Sequence, residues 1–172
     1  MEYLQLVKER YSVRKFSDRQ VEESKVEAIL EAARVAPTAV NKQPYRILVL
    51  RKPESMEKLK ECTPYTFRAP MALAVCSHKD EAWVRPYDNL NSGTIDASVV
   101  GVHIMLAVHD LGLGATWVGH FDAAAFSSAF NLPEMIEPVA IFPIGYPAEE
   151  AKPAHLHAER RPLSETVVHE TF

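Results

Sequence analysis

One segment, residues 94–111, constrains the fold more than any other, because as a helix it is apolar on nearly every side. One face carries apolar residues at helical spacing: Ile95, Val99, Val102 and Leu106. More apolar residues cover much of the remaining surface: Val100, Ile104, Ala107, Val108 and Leu111. A helix that is apolar nearly all round is a buried helix. We therefore expect it to need cover from all sides, part of which a second subunit would supply.

Other helices and strands surround this segment without a regular strand–helix–strand alternation. Periodicity and helix-start signals predict helices over 2–10 and 22–36, from Pro53, and after an N-cap at Asp122. Apolar runs predict strands at 47–50, 71–76, 115–118 and 138–145. Pro37 should end the second helix, and Gly112 or Gly114 the long one. The mixture predicts one α+β domain over 1–172, with a polar C-terminal tail that is disordered unless it docks on something.

Composition argues against several classes of protein. The formal net charge of −4 does not suit a nucleic-acid partner. No apolar run reaches the ~20 residues of a membrane helix, and the N-terminus lacks a signal-peptide pattern. Cys62 and Cys76 form no CxxC pair, and the histidines show no HExxH spacing, so we expect no zinc site or metal hydrolase. A cytoplasmic protein fits these features.

Arginines cluster at both ends of the chain. In an extended segment Arg10, Ser12 and Arg14 point to the same side, and two guanidinium groups with a hydroxyl make a good phosphate clamp. The alternative is a solvated basic turn after the first helix. Arg160 and Arg161, late in the polar tail, are either exposed charge or further ligands for an anion.

Two loops carry the remaining candidate binding residues. Asn41 and Gln43 offer amide donors and acceptors that suit the edge of a heterocycle; alternatively they cap their own turn. Gly112, Gly114 and Gly119 do not match a dinucleotide fingerprint, because their spacing is wrong and they follow a helix. Gly119 allows another group to approach its backbone, or it is an ordinary loop residue.

In chain order, these motifs resemble the nitroreductase family of flavoenzymes along nearly the whole chain. The landmarks are Arg10-x-Ser12-x-Arg14-x-Phe16, Ala36-Pro37-Thr38 with Asn41-x-Gln43-Pro44, Asp96 before Leu111-Gly112-Leu113-Gly114, Trp117-Val118-Gly119-His120-Phe121, and Arg160-Arg161-Pro162-Leu163. The resemblance implies a central, mostly antiparallel sheet flanked by helices, in an interwoven homodimer. It also implies flavin mononucleotide (FMN) at the dimer interface, and a C-terminal tail, 148–172, that reaches the partner subunit.

The resemblance assigns the FMN phosphate to Arg10, Ser12 and Arg160. Many relatives carry a second basic residue two positions before the last of these arginines, where this chain has Ala158. Phosphate binding here should therefore depend more on Arg10 or on Arg161.

The resemblance also assigns residues to the flavin ring. Arg14 should lie near N1 and the C2 carbonyl, and the backbone N–H groups of Gly119 and His120 should face N5 and O4. Four residues should line the other subunit's flavin: Pro37, Thr38, Asn41 and Gln43.

The implied activity is hydride transfer from NADH or NADPH to flavin N5, followed by electron transfer to a small acceptor such as a nitroaromatic or a quinone. Donor and acceptor would use the same flavin face in turn, which is ping-pong turnover. Flavin carries the chemistry, so no side chain is assigned as catalytic acid, base or nucleophile. A flavin-binding sensor or storage protein without turnover is the alternative.

The 80–91 loop, with Trp83 and Tyr87, is either a wall of the substrate site or a surface loop with packed aromatics.

Overall fold

The computed structural model describes residues 2–172, in which helices pack on both faces of one sheet. The helices are α1 (Tyr3–Glu9), α2 (Glu23–Arg34), α3 (Pro53–Cys62), α4 (Gly93–Asp110), α5 (Ala123–Ala129) and α6 (Leu163–Thr166). The strands are β1 (Tyr45–Leu50), β2 (Met71–His78), β3 (Gly114–Ala115) and β4 (Ile136–Gly145). Short 3₁₀ turns lie at Ala39–Asn41 and His155–Ala158. The predicted α+β class is confirmed.

The sheet has the strand order β1-β2-β4-β3, and all its neighbouring strands are antiparallel. Side chains alternate between its two faces. Leu73 of β2 and Phe142 of β4 pack with α2 and α4, whereas Ala74 and Ile141 pack with α3 and α5. The central strands are therefore buried on both sides, and each face of the sheet has its own apolar core.

Helix α4 lies across the first of these faces. Gly101 lets it approach closely, because a Cβ there would come within 2.7 Å of both Phe142 Cζ and Trp117 Cζ3. The helix ends where Gly112 adopts φ +72°, which decides between the two predicted capping glycines. Its cover is incomplete within one subunit, since Ile95 is 53% and Val102 is 44% exposed.

The third predicted strand and the tail differ most from expectation. Strand β3 holds only Gly114–Ala115, and Val118 makes an isolated bridge to Ile141. The pairing is interrupted opposite Pro143, which has no backbone N–H to donate, and the ring of Trp117 packs on Phe142 (centroids 5.0 Å apart, 83°). The tail contains one 3₁₀ turn and α6, yet no residue of 148–172 is buried. Asp122 is the predicted N-cap, and it accepts a hydrogen bond from Ala125 N (2.9 Å).

The described chain provides neither a membrane span nor a cluster of metal ligands. Among residues 2–172, no helix combines the length and apolar character needed to cross a bilayer. No group of three or more His, Cys, Asp or Glu side chains in that range could hold a metal ion. Both cysteines are free and buried, and burial raises the pKa of the Cys76 thiol to about 11. Cys76 is therefore a core residue and not a nucleophile.

Candidate functional site

The segment after α1 lies along the edge strand β3. Val13 donates its backbone N–H to Ala115 O at 3.0 Å. The contact is close because Gly114 has no side chain: a Cβ there would lie 2.5 Å from Val13 Cγ2. The pairing anchors the N-terminal segment to the sheet and buries Val13.

Burial of Val13 turns its two neighbours outward, since side chains alternate along an extended segment. Ser12 and Arg14 line a cleft of about 340 Å³, and residues 150–155 of the tail line its other side. The structure thus brings the predicted serine and one predicted arginine together, facing the tail.

The other predicted arginine, Arg10, is near enough to Arg160 for their positive charges to interact. Its side chain is half-buried, and its pKa is lowered first by that burial and then by the positive charge of Arg160. Within residues 2–172 neither guanidinium forms an ion pair with a carboxylate. Two unneutralised cations from opposite ends of the chain create a site for an anion.

The loop beyond β3 presents two backbone donors. Val118 pairs with Ile141 through both of its backbone groups (2.8 and 3.0 Å), and the chain then leaves the sheet. Among the described residues, the N–H groups of Gly119 and His120 have no hydrogen-bond acceptor, and both residues are exposed. A Cβ at Gly119 would meet nothing closer than 3.7 Å. The glycine therefore leaves the backbone open to a ligand.

The open donors follow the same edge strand that Ser12 pairs with. Ser12 bridges to Ala115, and Gly119 follows four residues later. At about 3.3 Å per extended residue, the Cα atoms of Ala115 and Gly119 are at most about 13 Å apart. An anionic group at one end and a heterocycle at the other can therefore bind along this edge of the sheet.

The amide-bearing loop, 37–43, is locally strained and hydrogen-bonded to itself. Asn41 and Gln43 have positive φ (54° and 52°), and Gln43 Nε2 donates to Asn41 Oδ1 at 3.3 Å. Thr38 Oγ1 accepts from Gln43 N at 3.0 Å. The amides of this loop therefore do cap their own turn, as one of the two interpretations predicted. The side chains of Pro37, Asn41 and Gln43 are nevertheless exposed.

This loop does not lie with the arginines of its own chain. It contacts the start of α4 through Asp96, whereas Arg10 influences His109 at the other end, where burial and Arg10 lower the pKa of His109. These two helical positions are about 20 Å apart at 1.5 Å per residue. The predicted site residues thus form two groups at opposite ends of one helix.

Sequence reasoning missed an aromatic pair beside the open backbone donors. The rings of Tyr65 and His120 meet edge to face, with centroids 5.4 Å apart at 87°. Thr63 holds them together, because its hydroxyl donates to His120 O at 2.7 Å and accepts from Tyr65 N at 3.3 Å. The only local sequence signal was an aromatic residue in a proline-containing loop, which does not reveal the partner.

Comparisons with known proteins agree with this fold and arrangement. The family model described as "Nitroreductase family" matches residues 7–63 and 61–146. A nitroreductase family protein from Clostridium difficile 630 is 39% identical, with a TM-score of 0.94 and full coverage of both chains. A Methanothermobacter thermautotrophicus protein, provisionally named NADH dehydrogenase/NAD(P)H nitroreductase, is 34% identical over 93% of this chain and 88% of its own. A provisionally named nitroreductase from Desulfovibrio desulfuricans, solved in complex with FMN, is 30% identical, with a TM-score of 0.83 and coverage of 100% of this chain and 98% of its own.

An antiparallel sheet between two helical layers, with arginines and open N–H groups along one edge, defines an α+β protein with a candidate site for an anionic ligand. The chain belongs to the nitroreductase family. The family match ends at residue 146, so the tail with Arg160 lies beyond it.

Proposed function

We propose that this protein is an FMN-dependent oxidoreductase that takes electrons from NADH or NADPH and passes them to a small acceptor. The observation that carries the proposal is that Arg10 and Arg160, from opposite ends of the chain, are near enough for their charges to interact, while neither forms an ion pair with a carboxylate among the described residues. A phosphate monoester is an anion that two guanidinium groups bind well. The FMN complex of one relative and the NAD(P)H nitroreductase name of another support this cofactor and donor.

The residues present fit FMN along its length. Arg10, Ser12 and Arg160 hold the phosphate, and the open N–H groups of Gly119 and His120 donate to the ring acceptors N5 and O4. Arg14 places a positive charge beside the pyrimidine edge, where it favours the electron density that reduction adds. When bound, FMN supplies the redox chemistry, and the protein supplies position and electrostatics.

A homodimer completes the site. Loop 37–43 and Arg10 lie about 20 Å apart on one α4, so one chain cannot place both on one flavin ring and its phosphate. A two-fold pairing that sets α4 against its partner in the opposite direction brings each loop to the other subunit's arginines. Such a pairing also covers Ile95 and Val102, the apolar residues that one subunit leaves exposed. Pro37, Thr38, Asn41 and Gln43 then line the partner's flavin.

The aromatic pair suggests what the acceptor is. Tyr65 and His120 form an edge of rings next to the Gly119 N–H, and flat ligands stack well against such rings. A planar nitroaromatic or quinone fits beside them. With FMN bound to supply the redox chemistry, donor and acceptor would use this one site in turn, which is the order of ping-pong kinetics.

The first experiment is the absorption spectrum of the purified protein, which should show bound oxidised flavin released as FMN on denaturation. Arg10→Ala should then raise the FMN dissociation constant, because a hydrogen bond to a charged group contributes about 1.5–3 kcal/mol. That loss corresponds to roughly a 10- to 150-fold weaker complex.

Arg34→Ala is the matched control, since Arg34 is exposed and pairs with Glu31 on its own helix. It should bind FMN as the native protein does. Equal FMN affinity in the Arg10 variant and the native protein would contradict the phosphate assignment. Bound FMN without NAD(P)H oxidation in the presence of a quinone would instead indicate a flavin-binding protein without turnover.

A further inference from the structure

Asp96, in the first turn of α4, is a buried carboxylate to which the proposed function gives no task. Asp96 is only 3% exposed. Oδ1 accepts the backbone N–H of Ala39 at 2.8 Å, and Oδ2 accepts the hydroxyl of Ser92 at 2.7 Å. Ser92 is the N-cap residue of α4, but its side chain makes no helix-capping bond. The Ser92 hydroxyl therefore holds the Asp96 carboxylate, and the carboxylate in turn holds loop 37–43.

That loop needs an external anchor. Val40, Asn41 and Gln43 all have φ between 52° and 54°, a left-handed conformation that non-glycine residues keep only where the surroundings determine it. Its other hydrogen bonds are local in sequence. Within residues 2–172, the Ala39–Asp96 bond is the only hydrogen bond that ties the loop to a segment distant in sequence.

We infer that Asp96 is a positioning residue that fixes loop 37–43 on α4, so that this loop can line the flavin of the partner subunit. The purpose of the contact rests on the proposed function, whereas the contact itself does not. A carboxylate accepts at both oxygens. An asparagine can keep both bonds by accepting from Ala39 and donating to Ser92 Oγ, since a hydroxyl also accepts. An alanine leaves both donors without a partner.

The inference predicts a specific pattern among single variants. Asp96→Ala should raise amide hydrogen exchange across residues 39–43 and speed FMN dissociation about tenfold, the scale of one unsatisfied buried donor. Turnover at saturating FMN should fall less than FMN affinity, because Asp96 contacts none of the reacting atoms. Asp96→Asn should restore both the exchange and the dissociation rate.

Two further variants keep the test decisive. Leu59→Ala removes a fully buried side chain of α3 on the other face of the sheet. It should lower global stability without changing loop exchange or FMN dissociation. If Asp96→Ala does not fold, Ala39→Pro removes only the donor N–H. Thr38 before it is already extended (φ −135°, ψ 159°), as a residue before proline prefers.

Mixed dimers test whether Asp96 acts on the partner's site. An Arg10→Ala subunit paired with an Asp96→Ala subunit should contain one doubly defective site and one site of native FMN affinity. If Asp96 acted within its own subunit, neither site would be native, and the partner assignment would be overturned.

The outcomes separate this inference from the proposed function. A native protein that binds no FMN would refute the function, while loop exchange would still report on Asp96. Native FMN binding, with loop exchange and FMN dissociation in Asp96→Ala equal to those of the native protein, would overturn the inference.

Discussion

The sheet and the C-terminal tail are held in place by opposite means. In β2 the residues from Met71 to Ser77 are all buried, and both faces of the strand contact apolar side chains. In the tail, 148–172, no residue is buried, and its large apolar side chains are exposed: Leu156, Leu163, Val167, Val168 and Phe172. The sheet is stabilised by apolar contacts on both of its faces, whereas the apolar side chains of the tail are left uncovered.

The tail contacts its own subunit at the candidate phosphate site. Ala148 N donates to Lys15 O at 3.1 Å, the rings of Tyr11 and His157 meet edge to face at 6.2 Å, and Arg160 approaches Arg10. These contacts are polar or aromatic and lie on residues 10–15. Unlike the sheet, the tail is held against the rest of the chain by these polar and aromatic contacts and not by a buried core of its own.

The largest expected effect is in the sheet. Leu73→Ala should lower the free energy of unfolding by about 2–5 kcal/mol, because it leaves a cavity in a fully packed strand. Leu163→Ala, the matched tail variant, should lower stability only at protein concentrations where dimers form, since unfolding of a dimer depends on mass action. Urea unfolding over a dilution series measures both. A concentration-independent loss for Leu163→Ala would show that the tail belongs to the subunit's own core.

A smaller effect is expected at the end of the tail. Arg160→Ala should weaken FMN binding roughly fivefold, or about 1 kcal/mol, because an exposed charge contributes less than a buried one. Arg161→Ala is the natural comparison, since no bond or ion pair of Arg161 is seen within residues 2–172. Titration of each apoprotein with FMN measures the difference. A larger loss for the Arg161 variant would mean that this arginine replaces the basic residue missing at Ala158.

Local sequence signals predicted most of the fold and the direction in which the side chains of the N-terminal segment point. The helix at 94–111, the Asp122 cap and the outward side of Ser12 and Arg14 all follow from periodicity within a short segment. The third strand was predicted too long, because its pairing with β4 is interrupted opposite Pro143, and a segment's own apolar run does not show which residues its partner strand presents.

Contacts between segments distant in sequence were beyond such reasoning. Ala39 meets Asp96, and Thr63 meets His120, each across 57 residues. No spacing rule connects positions so far apart. The resemblance placed Asp96 among the family landmarks but gave it no partner, and the aromatic residue Tyr65 in its proline-containing loop gave no sign of its contact with His120. Both emerge only when the sheet has brought the helix ends and loops together.

The smallest expected effect is at the junction between residues 2–147 and the tail. Tyr146, just before the tail, donates its hydroxyl to Glu22 at 2.6 Å, and the guanidinium of Arg19 lies 3.9 Å above its ring. The Tyr146 hydrogen bond, together with Glu22's own backbone N–H and Arg19, lowers the pKa of the Glu22 carboxyl from 4.5 to about 2. Since the folded pKa is depressed, the ionised carboxylate stabilises the fold above pH 4.5, and this contribution is lost as the pH falls towards about 2.

Glu22→Gln should therefore lower the Tm at neutral pH by a small amount, because the group is fully exposed and screened by solvent. The Tm difference from the native protein should disappear near pH 2. Glu27→Gln, on the same helix, is the control, since Glu27 is exposed and forms no ion pair among the described residues. Equal acid sensitivity of the Glu22 variant and the native protein would show that the junction does not contribute to stability.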